Sequence, residues 1–331
     1  MEKKLASLIA SIKRLGETDI DRIIQFVFGL LTVTTSLPDR PACPHCRSAH
    51  IIKFGHRNGK QRFLCKDCQR TFMHSTNTIM QNSHFGRSVW ADFIKDTVTG
   101  VSLDKSAETF GFSHATSFNM RHKVLMAIQD SLANNPVELS GIVELDETFV
   151  LESQKGTQIP ESADRPARKH GAKARKRGIS NEYIAICTGV QRDGGVVVAS
   201  VNRAKPSKVE LDSVFRTHIA NDSLLLTDGL RSYSVLSDIP GCSVVDVNAE
   251  ICKGVFNLNT VNGLHSFIKK TYELYRGVAT KYLNRYNALF SVMFRAVREL
   301  PLHLFNELAN TSCSVAPHTC ADVLSYNLFL I

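Results

Sequence analysis

The stretch GIVELDETFV, residues 141–150, sets the hardest condition on the fold. Ile142, Val143, Leu145, Phe149 and Val150 have the β-branched and aromatic bias of a buried strand, yet Glu144, Asp146 and Glu147 put three carboxylates inside it. Burying an unpaired carboxylate is costly, so this strand demands cationic company. A second apolar run, SLLLT at residues 223–227, leads straight into Asp228 and Gly229. Two strands that each deliver an Asp to the same end of one sheet make a site for a hard divalent cation, Mg²⁺ or Mn²⁺.

The pattern around these strands predicts an α/β unit over residues 140–298. Strands are expected at 142–150, 182–190 and 195–201, with a hairpin turn at 192–195, then a helix at 207–219. Strands at 223–227 and 242–247 follow, and a long helical region begins near residue 260. Three successive strands expected to be antiparallel, then a helix and a strand ending in Asp, match a ribonuclease-H-like fold, in which central strands hold their acidic residues side by side.

Two smaller domains are predicted upstream. Cys43-Pro-His-Cys46 and Cys65-Lys-Asp-Cys68 are separated by eighteen residues, with short strands at 50–54 and 61–64 joined across Asn58-Gly59. Each CxxC grips an ion from a turn, and the hairpin brings the pairs together. Residues 41–75 therefore read as a zinc ribbon, with a closed and structural four-thiolate site for Zn²⁺. His45 reads as a bystander. Lys53, Arg57, Lys60, Arg62, Lys66 and Arg70 decorate the ribbon, as a DNA-facing rim or a solvated one.

Residues 83–132 have helix-turn-helix proportions, with Gly111 as the turn and Ser113 as the cap of the last helix. That helix is expected to bury Ala115, Phe118, Leu125 and Ile128, and to offer DNA Thr116, Ser117, Asn119, Arg121 and Lys123. An ordinary trihelical core with polar outer faces is the alternative. Residues 1–36 form an N-terminal helical segment, and 299–331 a tail whose apolar finish suits a packed helix or a partner contact.

Composition narrows the partner. The net charge of +9 points to a polyanion, nucleic acid before membrane. Its densest basic run, residues 165–177, carries seven Lys or Arg in thirteen residues without an apolar face, and reads as a phosphate clamp or a solvated loop. Arg168, Lys169, Lys173, Arg175, Lys176 and Arg177 are its candidate DNA contacts. Nine cysteines, an odd number with four clustered, fit a reducing compartment and a metal site. No signal peptide and no membrane span is read, so a cytoplasmic, nucleoid-associated protein is expected.

Asp146 and Asp228 lie 82 residues apart, and Asn262 follows 34 residues later. Together with Glu144-Leu-Asp146-Glu-Thr-Phe149, Thr227-Asp228-Gly229 before Tyr233, and the run from Asn259 through Asn262, His265 and Ser266 to Lys269, the chain resembles the DDE transposases of bacterial insertion sequences. The likeness is to the zinc-ribbon group with an ISXO-type catalytic domain. Arg276-Gly277-Val278 and the stretch Lys281 to Tyr286 add to it, and it extends from the CxxC pairs to about residue 295.

The resemblance implies a catalytic set of Asp146, Asp228, Asn262 and Lys269, the first three holding Mg²⁺ or Mn²⁺ and Lys269 holding a DNA phosphate. Asn262 stands where many relatives have Glu, and its carbonyl can ligate but brings no charge. Lys269 is seven residues on, two helical turns away on the same face. His265 reads as a DNA or packing contact, and Glu144 and Glu147 as strand neighbours or ion-pair partners. Glu250 is the nearest acidic substitute but lies off the motif.

The implied activity is cleavage and strand transfer at terminal inverted repeats on double-stranded DNA, by at least a dimer and without a nucleotide cofactor. A catalytically inactive DNA-binding regulator, for which Asn262 speaks, and a structure-specific nuclease of the same fold are the rivals.

Overall fold

The computed structural model describes residues 41–297, apart from Thr99, 157–173, Asp193, 248–253 and Arg276. The N-terminal helical segment, Arg168, Lys169, Lys173, Glu250 and the tail lie outside the described residues. The chain divides into two compact units, one built mainly from residues 1–131 and the other from 132–300.

In the first unit, β1 (Ile51–Arg57), β2 (Lys60–Cys65) and β3 (Thr71–Met73) form an antiparallel sheet in that order. Asn58 and Gly59 make the β1–β2 turn at φ of 50° and 73°, the left-handed pair that a two-residue hairpin needs. The third strand is too short to show a period in the sequence. The two cysteine knuckles repeat one design: the N–H of Arg47 returns to the carbonyl of Cys43, and that of Gln69 to Cys65, at 2.8 and 3.0 Å.

The ribbon's packed centre is only Cys43, Ile51, Phe63, Cys65 and Phe72. So small a core stabilises a fold weakly on its own, and a metal held by the four cysteines would supply the rest. Cys43 and Cys68 sulfurs lie 3.6 Å apart, Cys46 and Cys65 sulfurs 3.5 Å, and all four lie within 4.8 Å of one another. Four thiolates at ~2.3 Å from one centre would stand roughly 3.8 Å apart, so the cluster suits one tetrahedral zinc. We expect one zinc per wild-type chain by metal analysis and none at the ribbon in Cys65→Ser, whose ribbon should become protease-sensitive. Unchanged zinc content would contradict this.

Helices α1 (Arg87–Val98), α2 (Leu103–Phe110) and α3 (His114–Asn134) follow. Ser102 caps α2 by accepting from the Lys105 N–H, Gly111 ends it at φ 67°, and Ser113 accepts from the Thr116 N–H at the start of α3. Leu125 and Ile128 are buried on α3 as expected and Phe118 half-buried, but the buried face also takes in two residues expected outside. Ser117 and Arg121 are 0% and 2% exposed, so neither is an outward DNA contact. Arg121 is drawn in because its guanidinium donates to the Val101 carbonyl just after α1. Ala115 is exposed instead, while Asn119 and Lys123 are half-buried, Lys123 donating to the Gln81 carbonyl at 3.2 Å.

The second unit is a mixed α/β layer structure around a five-stranded sheet of order β6-β5-β4-β7-β8. Its strands are β4 (Ile142–Leu151), β5 (Tyr183–Gln191), β6 (Val196–Arg203), β7 (Leu224–Thr227) and β8 (Ser243–Asp246). The first three pair antiparallel, and β7 and β8 join parallel on the other side of β4, the ribonuclease-H-like arrangement expected from the strand order. One sheet face packs Val143, Leu145 and Leu225 against α4 (Lys208–Phe215) and a 3-10 helix (Arg231–Asp238). At Gly189 in the centre of β5, an added Cβ would come 2.8 Å from the Phe215 ring, so glycine there lets α4 lie close. On the other face lie α5 (Asn259–Leu274) and α6 (Leu283–Val297).

Candidate active site

The β4–β7 register brings the two Asp residues abreast. Glu144 pairs with Leu226, so two residues further along each strand stand Asp146 and Asp228. Asp228 lies just past the end of β7, exposed, its Oδ1 accepting the Leu230 N–H at 3.1 Å. Glu147 joins them: oxygens of Asp146, Glu147 and Asp228 all lie within 4.8 Å of one another.

The sequence presents Glu147 as a strand neighbour or an ion-pair partner, and strand alternation puts it on the opposite face from Asp146. It does sit on the α4 face, where the buried Tyr233 hydroxyl donates to its Oε2 at 3.2 Å. Since β7 has ended at this level, a side chain from either face of β4 reaches the sheet's rim. The sequence signal is the Asp-Glu pair itself, set in an otherwise apolar strand.

The charges are crowded. Burial above all, and then the Asp228 charge, push the Asp146 carboxyl up to about 6, against the opposing pull of the Glu147 N–H and Lys269. Glu147 is pushed up to about 7 by burial and by both Asp charges, with Tyr233 and Lys205 pulling back. Such a carboxyl contributes stability present below its unfolded value and lost as pH rises through its folded one. We therefore expect the second unit, without added divalent ion, to lose on the order of 2–3 kcal/mol per group between pH ~4 and ~7. Urea titrations should show this slope in wild type, a shallower one in Asp146→Asn, and flattening by millimolar Mg²⁺. Identical slopes in both proteins would count against it.

Helix α5 is fastened to β4 at its first turn. The Glu144 carboxylate is 0% exposed and accepts the N–H groups of Thr260 and Val261 at 2.8 and 2.9 Å. These are donors a helix start leaves unsatisfied, and a carboxylate also suits the positive end of the helix dipole. Arg192, from the turn after β5, meets the other Glu144 oxygen at 2.8 Å. It also donates to the carbonyls of Val255 and Asn257 at 2.6 and 2.9 Å. Glu144 is thus an ion-pair partner and the distant cap of α5.

From that anchored turn α5 carries Asn262, His265 and Lys269 along one side. Asn262 and Lys269 are exposed, and the Lys269 charge acts on both Asp146 and His265. His265 is buried, its Nδ1 3.6 Å from Asp146 Oδ2 and its Nε2 2.7 Å from the Thr188 hydroxyl. Thr188, across the β4–β5 pair from Asp146, also donates to the Asp146 carbonyl at 2.7 Å. Burial chiefly, with Lys269, holds His265 down to about 4, so the ring is neutral near pH 7.

Of the basic run, Arg175, Lys176 and Arg177 are described and exposed. The N–H groups of Arg175 and Lys176 donate to Glu182 Oε2 at 2.6 and 3.3 Å, tying the run's end to the start of β5. No helix among the described residues is long and apolar enough to cross a membrane.

Known proteins are similar to this chain in sequence. A protein of the transposable element ISH50 of Halobacterium salinarum, uncharacterized by its name, is 27% identical over 265 residues, spanning 78% of this chain and 86% of its own. Among solved structures, a pre-cleavage Mos1 transpososome is similar at 10% identity and a TM-score of 0.26, over 68% of this chain and 77% of that one. A Mos1 mariner paired-end complex with Mn follows at 12% and 0.27, over 69% and 78%. Superpositions this loose carry no weight for the site. The family model of the ISXO2-like transposase domain matches residues 138–295. That span holds β4 to β8, the three clustered carboxylates and α5, so the likeness to the ISXO2-like transposase domain covers the whole candidate site.

Proposed function

We propose that this chain cuts DNA at the ends of an insertion sequence and joins the freed ends to target DNA. The observation that carries the reading is the convergence of Asp146, Glu147 and Asp228 within 4.8 Å at the rim of a ribonuclease-H-like sheet. Buried carboxylates held well above their ordinary range form a cluster that a divalent cation relieves, so the residues present fit Mg²⁺ or Mn²⁺. When bound, such ions activate the attacking oxygen and stabilise the leaving 3′ oxygen of a phosphodiester.

The chain's own residues divide the remaining work. Asp146, on the central strand, would hold the ion together with Asp228 and Glu147, and Asn262 would add its carbonyl oxygen from α5. Glu147 restores the third negative charge that Asn262 lacks. Lys269, exposed and two turns beyond Asn262, holds a DNA phosphate beside the carboxylates. Glu144 and Arg192 keep α5 at its place on the sheet.

Recognition of double-stranded ends falls to the first unit. The exposed Lys53, Arg57, Lys60, Lys66 and Arg70 rim the zinc ribbon, and the exposed start of α3, with Asn119 and Lys123 half-exposed behind it, faces a groove. Arg175, Lys176 and Arg177 grip the DNA backbone from the second unit. Two ends must be held together, so the working form is at least a dimer, acting in the cytoplasm on the nucleoid and needing no nucleotide cofactor.

Incubation of the full chain with end-containing DNA and Mg²⁺ or Mn²⁺ tests this directly. Joined products should form with wild type and with Val209→Ala, a change at a site 79% exposed, and not with Asp146→Ala. Cutting without joining would favour a nuclease. Tight, specific end binding with no chemistry in either metal would favour a DNA-binding regulator.

A further inference from the structure

We infer that His265 is itself a metal ligand, through Nδ1, sharing an ion with Asp146, so that the centre is a mixed nitrogen and oxygen site. This deepens the metal-dependent reading above and rests on it. A single proton decides the tautomer. The Thr188 hydroxyl lies 2.7 Å from the Asp146 carbonyl, which can only accept, so its hydrogen points there. The same oxygen lies 2.7 Å from His265 Nε2, and with its own proton committed it must accept. Nε2 therefore carries the ring hydrogen.

The neutral ring then has its lone pair on Nδ1, which stands 3.6 Å from Asp146 Oδ2, beyond a hydrogen bond. Two electron-rich atoms facing one another in a largely buried site call for a cation between them. Ligand bonds of ~2.1–2.2 Å span that separation at an angle of roughly 115°, and a small inward shift brings it towards octahedral. A ligating imidazole is normally fixed by donating its other N–H to a held partner, and the Thr188 hydroxyl, itself tied to the β4 backbone, is such a partner. Asn262, three residues before His265 on the same face of α5, adds an amide oxygen.

The carboxylate-rich side of Asp146 and this side differ in chemistry. Asp146, Glu147 and Asp228 offer oxygen alone, which suits Mg²⁺. Asp146, Asn262 and His265 offer one charge and one nitrogen, which favours a transition ion such as Mn²⁺.

The test uses the full chain with its ribbon saturated with zinc, titrated with MnCl₂ in the absence of DNA. Electron paramagnetic resonance counts bound Mn²⁺, and its pulsed form detects a coordinated ¹⁴N nucleus. We expect ¹⁴N coupling in wild type and its loss in both His265→Gln and Asp146→Asn. His265→Gln should weaken Mn²⁺ binding at this position roughly tenfold and Mg²⁺ binding, read by competition, about threefold or less. Wild-type Mn²⁺ binding that Asp146→Asn removes, without any ¹⁴N coupling, overturns the nitrogen ligand and leaves the carboxylate site standing. Failure of wild type to bind Mn²⁺ any better than Asp146→Asn overturns both. The wild-type spectrum is informative even if a His265 variant fails to fold.

Discussion

Asp228→Asn is expected to lower end cleavage and joining by about a thousandfold or more, the loss of roughly 4 kcal/mol of charge stabilisation in the transition state. Binding to end-containing DNA should stay within about twofold, because phosphate contact falls to the ribbon rim, α3, the basic run and Lys269, none of which the change removes. The same change should raise the melting temperature of the ion-free protein at pH 8. Asp228 repels both Asp146 and Glu147, and removing its charge lets them ionise more easily. A variant more stable, still bound to DNA and chemically dead is the signature of a carboxylate kept for catalysis. Loss of folding and binding together would instead mark Asp228 as a structural residue.

Glu144→Ala should produce the largest loss of stability, about 3–5 kcal/mol in urea denaturation. The carboxylate is wholly buried, and its removal takes the charge partner from the Arg192 guanidinium, which is 22% exposed and keeps its bonds to the Val255 and Asn257 carbonyls, and the acceptor from the N–H groups of Thr260 and Val261. Glu144→Gln keeps an acceptor but loses the charge and should cost less. A double-mutant cycle with Arg192→Met isolates the pair, and its coupling should exceed about 1 kcal/mol because neither group is freely solvated. Joining should fall in parallel with the helix's placement, since α5 carries Asn262, His265 and Lys269. A stability change below about 0.5 kcal/mol would show that α5 is held by packing alone.

How much of this is legible in the sequence depends on the reach of each interaction. The sheet is legible because short runs of β-branched and other apolar residues end at turn signals, and Asp146 and Asp228 follow from two apolar stretches, one carrying an acid within it and the other running straight into one. The zinc cluster is legible because its ligand spacing is local. Glu147 is hidden because strand alternation argues against it, and only the early end of β7 opens the rim to both faces. Arg121 is misjudged because its guanidinium bonds to a carbonyl twenty residues earlier, at Val101, and Ser117, one turn before it on the same face, is buried with it. Glu144 hides a capping role because the helix it serves begins more than a hundred residues later.

The shortness of β7 has a mechanical meaning. Asp146 is riveted into the middle of the sheet, with ladder partners through Leu151 on β5, whereas the parallel ladder of β7 against β4 stops at Leu226. Asp228 therefore stands just beyond the last rung, placed by its own bond to the Leu230 N–H and followed by Gly229 at φ 88°. One carboxylate of the cluster takes its place from the sheet and the other from the loop after β7, so a change at Gly229 is expected to displace Asp228 and leave Asp146 where it is.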